Sequence, residues 1–315
     1  MHYVLNGLDD NTSPFDDEGG STMRSRFAAA FSVNCSILFP ELPMLSRPAA
    51  ARAAGFDAVE FWWPFDSPAP SARQVDDFAV ALDDAGVTLT SLGLDHGDLA
   101  NGDRGIFASA ARGDRLRRNV DAALTLGERT GCRTFVGLYG VVDSDDASAA
   151  ETAVRQYSWA AGVVADAAGE IVIEPMSGVP GYGIRSLGQA AEFIERVREV
   201  SGVSNLGVLA DLFHLIETEP DISASLRRHA SFIRYAQIAD RPGRGVPGSG
   251  GEPLADLLLL LEELGYTGPV GLEFAPSRRG TAADLAAFRD WAGLSPVPGD
   301  ETHAITRATT GKGMS

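Results

Sequence analysis

Several short apolar runs in the second half of the chain carry an oxygen-bearing polar side chain at or near their ends. These are Glu174 after Ile171-Val172-Ile173, Asp211 after Leu209-Ala210, Gln237 in Tyr235-Ala236-Gln237-Ile238, and Glu273 after Gly271-Leu272. Taken alone, a carboxylate at a strand end is commonly a helix cap or a solvated group. Consecutive strands that each present one would bring these groups to a shared rim, where carboxylates without a cation repel one another and resist ionisation. Oxygen donors of this kind suit a hard divalent ion such as Mg²⁺ or Mn²⁺. Glu174, Asp211, Gln237 and Glu273 are therefore the expected metal ligands.

Other candidates stand nearby. His214 follows Asp211 where the chain leaves its strand and could meet a substrate hydroxyl, although a histidine in isolation is as readily a structural group. Arg244, between Gly243 and Gly245, could hold a carboxylate through two parallel hydrogen bonds; a solvated loop charge is the plainer alternative. Trp62 and Trp63 would wall a small substrate or cap the core. Glu60 is expected in a structural ion pair. His96, in a polar loop with Asp98, Asp103 and Arg104, remains a candidate, whereas His2, His229 and His303 are given no role.

Such side chains need a scaffold that brings strand ends together. Strand-like runs near 27–34, 58–61, 88–94, 134–138, 170–174, 206–211, 232–239 and 270–274 alternate with helical runs near 45–54, 72–85, 114–130, 147–168, 187–200, 224–229, 254–264 and 281–291. Alternation of this kind closes into an α/β (β/α)8 TIM barrel, a single domain of about 250 residues whose site lies at the C-terminal ends of the strands. The competing open sheet lacks its Gly-x-Gly-x-x-Gly turn after an early strand. The barrel is expected over 27–294, with 1–26 a flexible extension and 295–315 a disordered tail. Met23 lies just before the first strand-like run and offers a later start.

Composition narrows the function classes. A net charge of -17 on 315 residues disfavours nucleic acid, whose phosphates are held by basic side chains. No apolar stretch approaches the roughly 20 residues that span a bilayer. Cys35 and Cys132 are the only cysteines, so no disulfide framework is expected and a reducing cytoplasm is the default. A homo-oligomer is compatible with all of this.

The motifs Phe31-Ser32-Val33-Asn34, Gly55-Phe56-Asp57-Ala58-Val59-Glu60-Phe61, Gly102-Asp103-Arg104-Gly105-Ile106, Ile173-Glu174-Pro175, Asp211-Leu212-Phe213-His214, Gln237-Ile238-Ala239-Asp240 with Pro242-Gly243-Arg244-Gly245, and Gly271-Leu272-Glu273 occur in this order. Together they resemble the hydroxypyruvate isomerase family, a branch of the xylose isomerase-like barrels. The resemblance implies interconversion of hydroxypyruvate, a small hydroxy-carbonyl acid, with tartronate semialdehyde. It also implies Glu174 and Glu273 as the catalytic acid–base pair, in addition to their place among the metal ligands. Gln237 favours this branch over the ketose epimerases, which usually carry histidine at that strand end.

The chain departs from the family pattern in loops that face substrate. Met176-Ser177-Gly178-Val179-Pro180-Gly181-Tyr182 replaces a histidine-containing loop, Gly93-Leu94-Asp95-His96-Gly97-Asp98 replaces an Asn-containing one, and Gly251 is extra. A ketose 3-epimerase, a 2-oxo-tetronate isomerase and a non-catalytic binding protein on the same barrel are the alternatives.

Overall fold

A computed structural model describes residues 27–294 apart from 29, 144, 145 and 147; both expected extensions, 1–26 and 295–315, lie outside the described residues. Eight parallel strands, β1 (Phe31–Asn34), β2 (Ala58–Phe61), β3 (Thr88–Gly93), β4 (Thr134–Val136), β5 (Glu170–Ile173), β6 (Leu206–Asp211), β7 (Ile233–Ile238) and β8 (Val270–Leu272), form a closed barrel in chain order. Around them run α1 (Arg47–Ala53), α2 (Ala72–Ala85), α3 (Gly113–Thr130), α4 (Ala149–Asp166), α5 (Leu187–Ser201), α6 (Leu212–Thr218), α7 (Ile222–His229), α8 (Leu254–Glu263) and α9 (Thr281–Ala292).

The strands read as continuous apolar runs because helices cover one face and the barrel interior the other. Every residue of β6 is buried. From outside, α4 turns Tyr157, Ala160, Ala161 and Val164 inward at helical spacing. Inside, Val172, Leu209 and Tyr235 pack together with Val136, filling the barrel as a core. A polar chain crosses this interior: Ser32 Oγ lies 2.7 Å from Thr90 Oγ1, which lies 2.8 Å from the Tyr235 hydroxyl.

Register sets the site. Asp211 pairs with Gln237, and Gln237 with Gly271. A Cβ on Gly271 would fall 2.5 Å from Glu60 Oε2 and 2.7 Å from Gln237 Cγ. Only glycine leaves room there for both side chains.

Between β6 and β7 the sequence pattern suggests one short helix, but there are two. Asp211 ends β6 and also accepts a hydrogen bond from the Phe213 N–H at 3.0 Å. The strand's terminal carboxylate thus caps α6, and the chain turns into helix at once. The first strand is also shorter than the apolar run, beginning at Phe31. Among the described residues no helix is long and apolar enough to cross a membrane.

Candidate active site

Two of the expected ligand residues, Asp211 and Glu273, meet at one guanidinium. Arg244 Nη2 donates to Asp211 Oδ2 at 2.6 Å and lies 3.2 Å from Glu273 Oε1, while its Nε donates to the Glu273 backbone carbonyl at 2.6 Å. Its Nη1 lies 3.0 Å from His214 Nε2, and the guanidinium sits over the Phe213 ring, 4.9 Å from its centroid. The loop that delivers Arg244 is tied down by the buried carboxylate of Asp240, which accepts from the backbone N–H groups of Arg241, Gly248 and Gly250. Arg244 itself takes a left-handed backbone, φ 59°. Buried among acids, it stays charged: burial alone would lower its pKa, but Asp211, Glu273 and Glu174 raise it above its ordinary value.

The carboxylates bear the cost of crowding. Glu174 is pushed well above the usual range, first by burial and then by the charges of Glu273 and Asp211. Glu273 rises to about 8 through burial, which Arg244 opposes and Asp211 reinforces. Such a cluster gains from a positive charge at its centre.

Gln237 leaves one buried acceptor without a partner. Its Nε2 donates to Glu60 Oε1 at 2.7 Å, which turns Oε1 the other way. That oxygen is buried and has no hydrogen-bond donor. An orphaned acceptor beside buried carboxylates is what a hard cation would satisfy. Glu174, Asp211 and His214 also bring one ligand atom each within 4.8 Å of one another, a buried group that could hold a metal ion.

His214 meets a donor at each ring nitrogen: Arg244 Nη1 lies 3.0 Å from Nε2, and Nδ1 accepts from the Ser177 backbone N–H at 3.1 Å, with Ser177 Oγ 2.9 Å away. Ser177 Oγ donates onward to Glu217 Oε2 at 3.2 Å. Burial lowers the His214 pKa, in keeping with a neutral ring.

Glu60 departs from expectation. It was expected to be ion-paired, yet no cation contacts it among the described residues. Asn34 Nδ2 (2.9 Å), Gln237 Nε2 (2.7 Å) and the Tyr235 hydroxyl (2.6 Å) donate to it instead. The barrel interior admits neutral donors from neighbouring strands more readily than a long basic side chain. Burial raises Glu60 to about 7 despite these bonds. Its importance was hidden because its partners come from β1 and β7; the signal was that β2, like the later strands, carries a carboxylate near its end.

A cavity of about 370 Å³ opens above the cluster, lined by Glu174, His214, Gln237, Arg244 and Glu273 and by apolar walls that include Leu138, Met176 and Val179. Asp211 lies beneath, fully buried. Trp62 lines the cavity and donates from Nε1 to Glu273 Oε1 at 3.2 Å, whereas Trp63 packs into the core. His96 reaches the cavity too, edge-on to Trp62. Trp62 was expected to wall a small substrate, whereas the sequence offered no role at this site for Glu60 or Arg104.

A closed eight-strand barrel with polar groups gathered at its strand ends defines a class, and residues 48–291 match the family model described as xylose isomerase-like TIM barrel. A Streptomyces coelicolor relative, provisionally named a hydroxypyruvate isomerase, is 42% identical over 255 residues, covering 78% of this chain and 90% of that protein. The hydroxypyruvate isomerase of Escherichia coli K12 is 30% identical, covering 78% and 93%. The 2-oxo-tetronate isomerase of Cupriavidus necator is 31% identical, covering 84% and 98%. Among solved structures, one titled AP endonuclease, family 2, from Brucella melitensis has a TM-score of 0.75 at 31% identity, covering 84% of this chain and 99% of that one. The chain belongs to the hydroxypyruvate isomerase family of xylose isomerase-like barrels, and so to the isomerases.

Proposed function

We propose that the protein isomerises hydroxypyruvate and tartronate semialdehyde by proton transfer between adjacent carbons. The gathering of Glu174, Gln237 and Glu273 around one small cavity, with buried Asp211 beneath, supports this reading. Glu174, Asp211, Gln237 and Glu273 would hold Mg²⁺ or Mn²⁺, with His214 Nε2 close by. Bound there, the ion would lower the cost of negative charge on the two neighbouring substrate oxygens.

The chain's own residues move the proton. One of Glu174 and Glu273, ionised, takes a proton from C3 of hydroxypyruvate; the C–H electron pair becomes the C2–C3 double bond of an enediolate. The other returns a proton to C2, and the hydroxyl proton passes from the C3 oxygen to the C2 oxygen, which leaves an aldehyde at C3. His214 and Arg244, already joined at 3.0 Å, would steady the oxygen nearest the cluster. The apolar walls keep bulk water from the reacting carbon.

A four-carbon oxo acid is the second substrate to consider, because the Cupriavidus necator relative is a 2-oxo-tetronate isomerase and covers nearly its whole length. Nucleic acid is disfavoured by the net charge of -17. The free thiols of Cys35 and Cys132, both buried, accord with a reducing cytoplasm. NMR assay of hydroxypyruvate, four-carbon oxo acids and ketoses, each with Mg²⁺, Mn²⁺ or chelator, tests the proposal. Hydroxypyruvate is expected to turn over fastest and only with metal; faster turnover of a neutral ketose would contradict it.

A further inference from the structure

The segment between β3 and α3 contributes no group to the machinery above, yet it delivers a cation to the same cavity. Arg104 lines that cavity together with Glu174, Gln237 and Glu273. Its Nη1 donates to the backbone carbonyls of Leu99, at 3.3 Å, and Asp103, at 2.6 Å. Its Nε and Nη2 have no partner among the described residues.

The acids of this loop are already matched. Asp95 is paired with Arg115, and Asp103 with Arg112. Asp98 accepts from the N–H groups of Ala100 and Asn101. Gly105, at φ 98°, is held by its N–H to the His96 carbonyl at 2.8 Å, and a Cβ there would come within 2.2 Å of the Leu138 carbonyl oxygen. The loop is a braced frame whose carboxylates are satisfied from within and whose remaining arginine faces the cavity. Trp62, bonded to Glu273 and edge-on to His96 with ring centroids 6.4 Å apart, sets this frame beside the proposed acid–base pair.

An anionic substrate entering the cavity meets the carboxylates of Glu174 and Glu273, with those of Glu60 and Asp211 buried beneath. Arg244 is engaged by Asp211, Glu273 and His214. Among the described residues lining the cavity, Arg104 is the one other arginine, and none is lysine. We propose that Arg104 is the specificity-determining contact for the substrate carboxylate, which it grips through the parallel N–H groups of Nε and Nη2 while the carbonyl end lies at the cluster. Arg244, first expected to be that clamp, then serves the cluster.

This assignment rests on the isomerase function proposed above, and the test separates the two. Arg104→Gln and Arg104→Lys are assayed with hydroxypyruvate and with dihydroxyacetone, its counterpart with a neutral hydroxymethyl in place of the carboxylate, whose proton exchange in deuterated water is read by NMR. For Arg104→Gln, kcat/KM for hydroxypyruvate is expected to fall roughly tenfold or more, chiefly through KM, as expected for loss of a charged hydrogen-bond pair. Arg104→Lys should recover part of the loss, and exchange of dihydroxyacetone should stay within about twofold, since no carboxylate contact is removed. An unchanged KM for hydroxypyruvate, or equal losses on both substrates, overturns the role of Arg104. If Arg104→Gln does not fold, Arg104→Lys with the same substrate pair decides the matter. A wild-type protein inactive on every carboxylated substrate defeats the isomerase proposal itself, an outcome visible before any variant is made.

Discussion

The two halves of the barrel contribute differently. β5 to β8 bring Glu174, Asp211, Gln237 and Glu273 to the rim from within strands or one residue beyond, so register aligns the oxygens. β1 to β4 contribute the floor, through Asn34 and Glu60, and the walls, through Trp62 and the loop bearing His96 and Arg104. The proposed ligands sit on rigid elements, while the proposed recognition of substrate falls to a loop braced by its own ion pairs. Chemistry should therefore be most sensitive in the second half and substrate choice in the first.

The largest effect should come from the second half. Glu174→Gln or Glu273→Gln is expected to lower kcat by roughly 10²–10⁴-fold, as for loss of a general acid or base, in steady-state assays. A loss of less than tenfold would show that the acid–base pair lies elsewhere. Glu60 tests the connection between the halves: it directs the Gln237 amide without touching the cavity's substrate face. Glu60→Gln can donate as well as accept, so the Gln237 oxygen loses its enforced direction. Affinity for Mn²⁺ followed by calorimetry should weaken by about 10–100-fold, as for other groups that orient metal ligands. Unchanged affinity would mean that Gln237 is not held for a cation.

A smaller effect is expected in stability. The folded-state pKa of Glu273 is raised from 4.5 to about 8, so the folded protein keeps a proton that the unfolded chain releases. The resulting stabilisation is fully present below 4.5 and is lost as pH rises to about 8. His214 and His96, whose pKa values are lowered chiefly by burial, act in the opposite sense through their usual range, and comparison with a variant cancels them. In chelator, wild type should lose melting temperature from pH 5 to 8 more steeply than Glu273→Gln. Parallel profiles would contradict a strained carboxylate at that position.

Much of the second half was legible in the sequence because a polar residue punctuating an apolar run marks a strand end, and eight such runs alternating with helices admit few topologies. The first half was less legible. Glu60 reads as a structural ion pair because its donors, Asn34, Tyr235 and Gln237, are distant in sequence and meet only when the barrel closes. The room it occupies is visible only as the missing side chain of Gly271. Arg104 could not be separated from other loop arginines until Asp95 and Asp103 had been paired with Arg115 and Arg112. The helix after Asp211 escaped notice because one carboxylate serves both strand end and helix cap.

In the proposed reaction, buried carboxylates at the strand ends move a proton between adjacent carbons of a small hydroxy acid. The most direct test is turnover of hydroxypyruvate in deuterated water with Mg²⁺ or Mn²⁺, followed by NMR. Tartronate semialdehyde carrying deuterium at C2 is expected, with no product in chelator. Product formed without deuterium, or formed equally well in chelator, would contradict it.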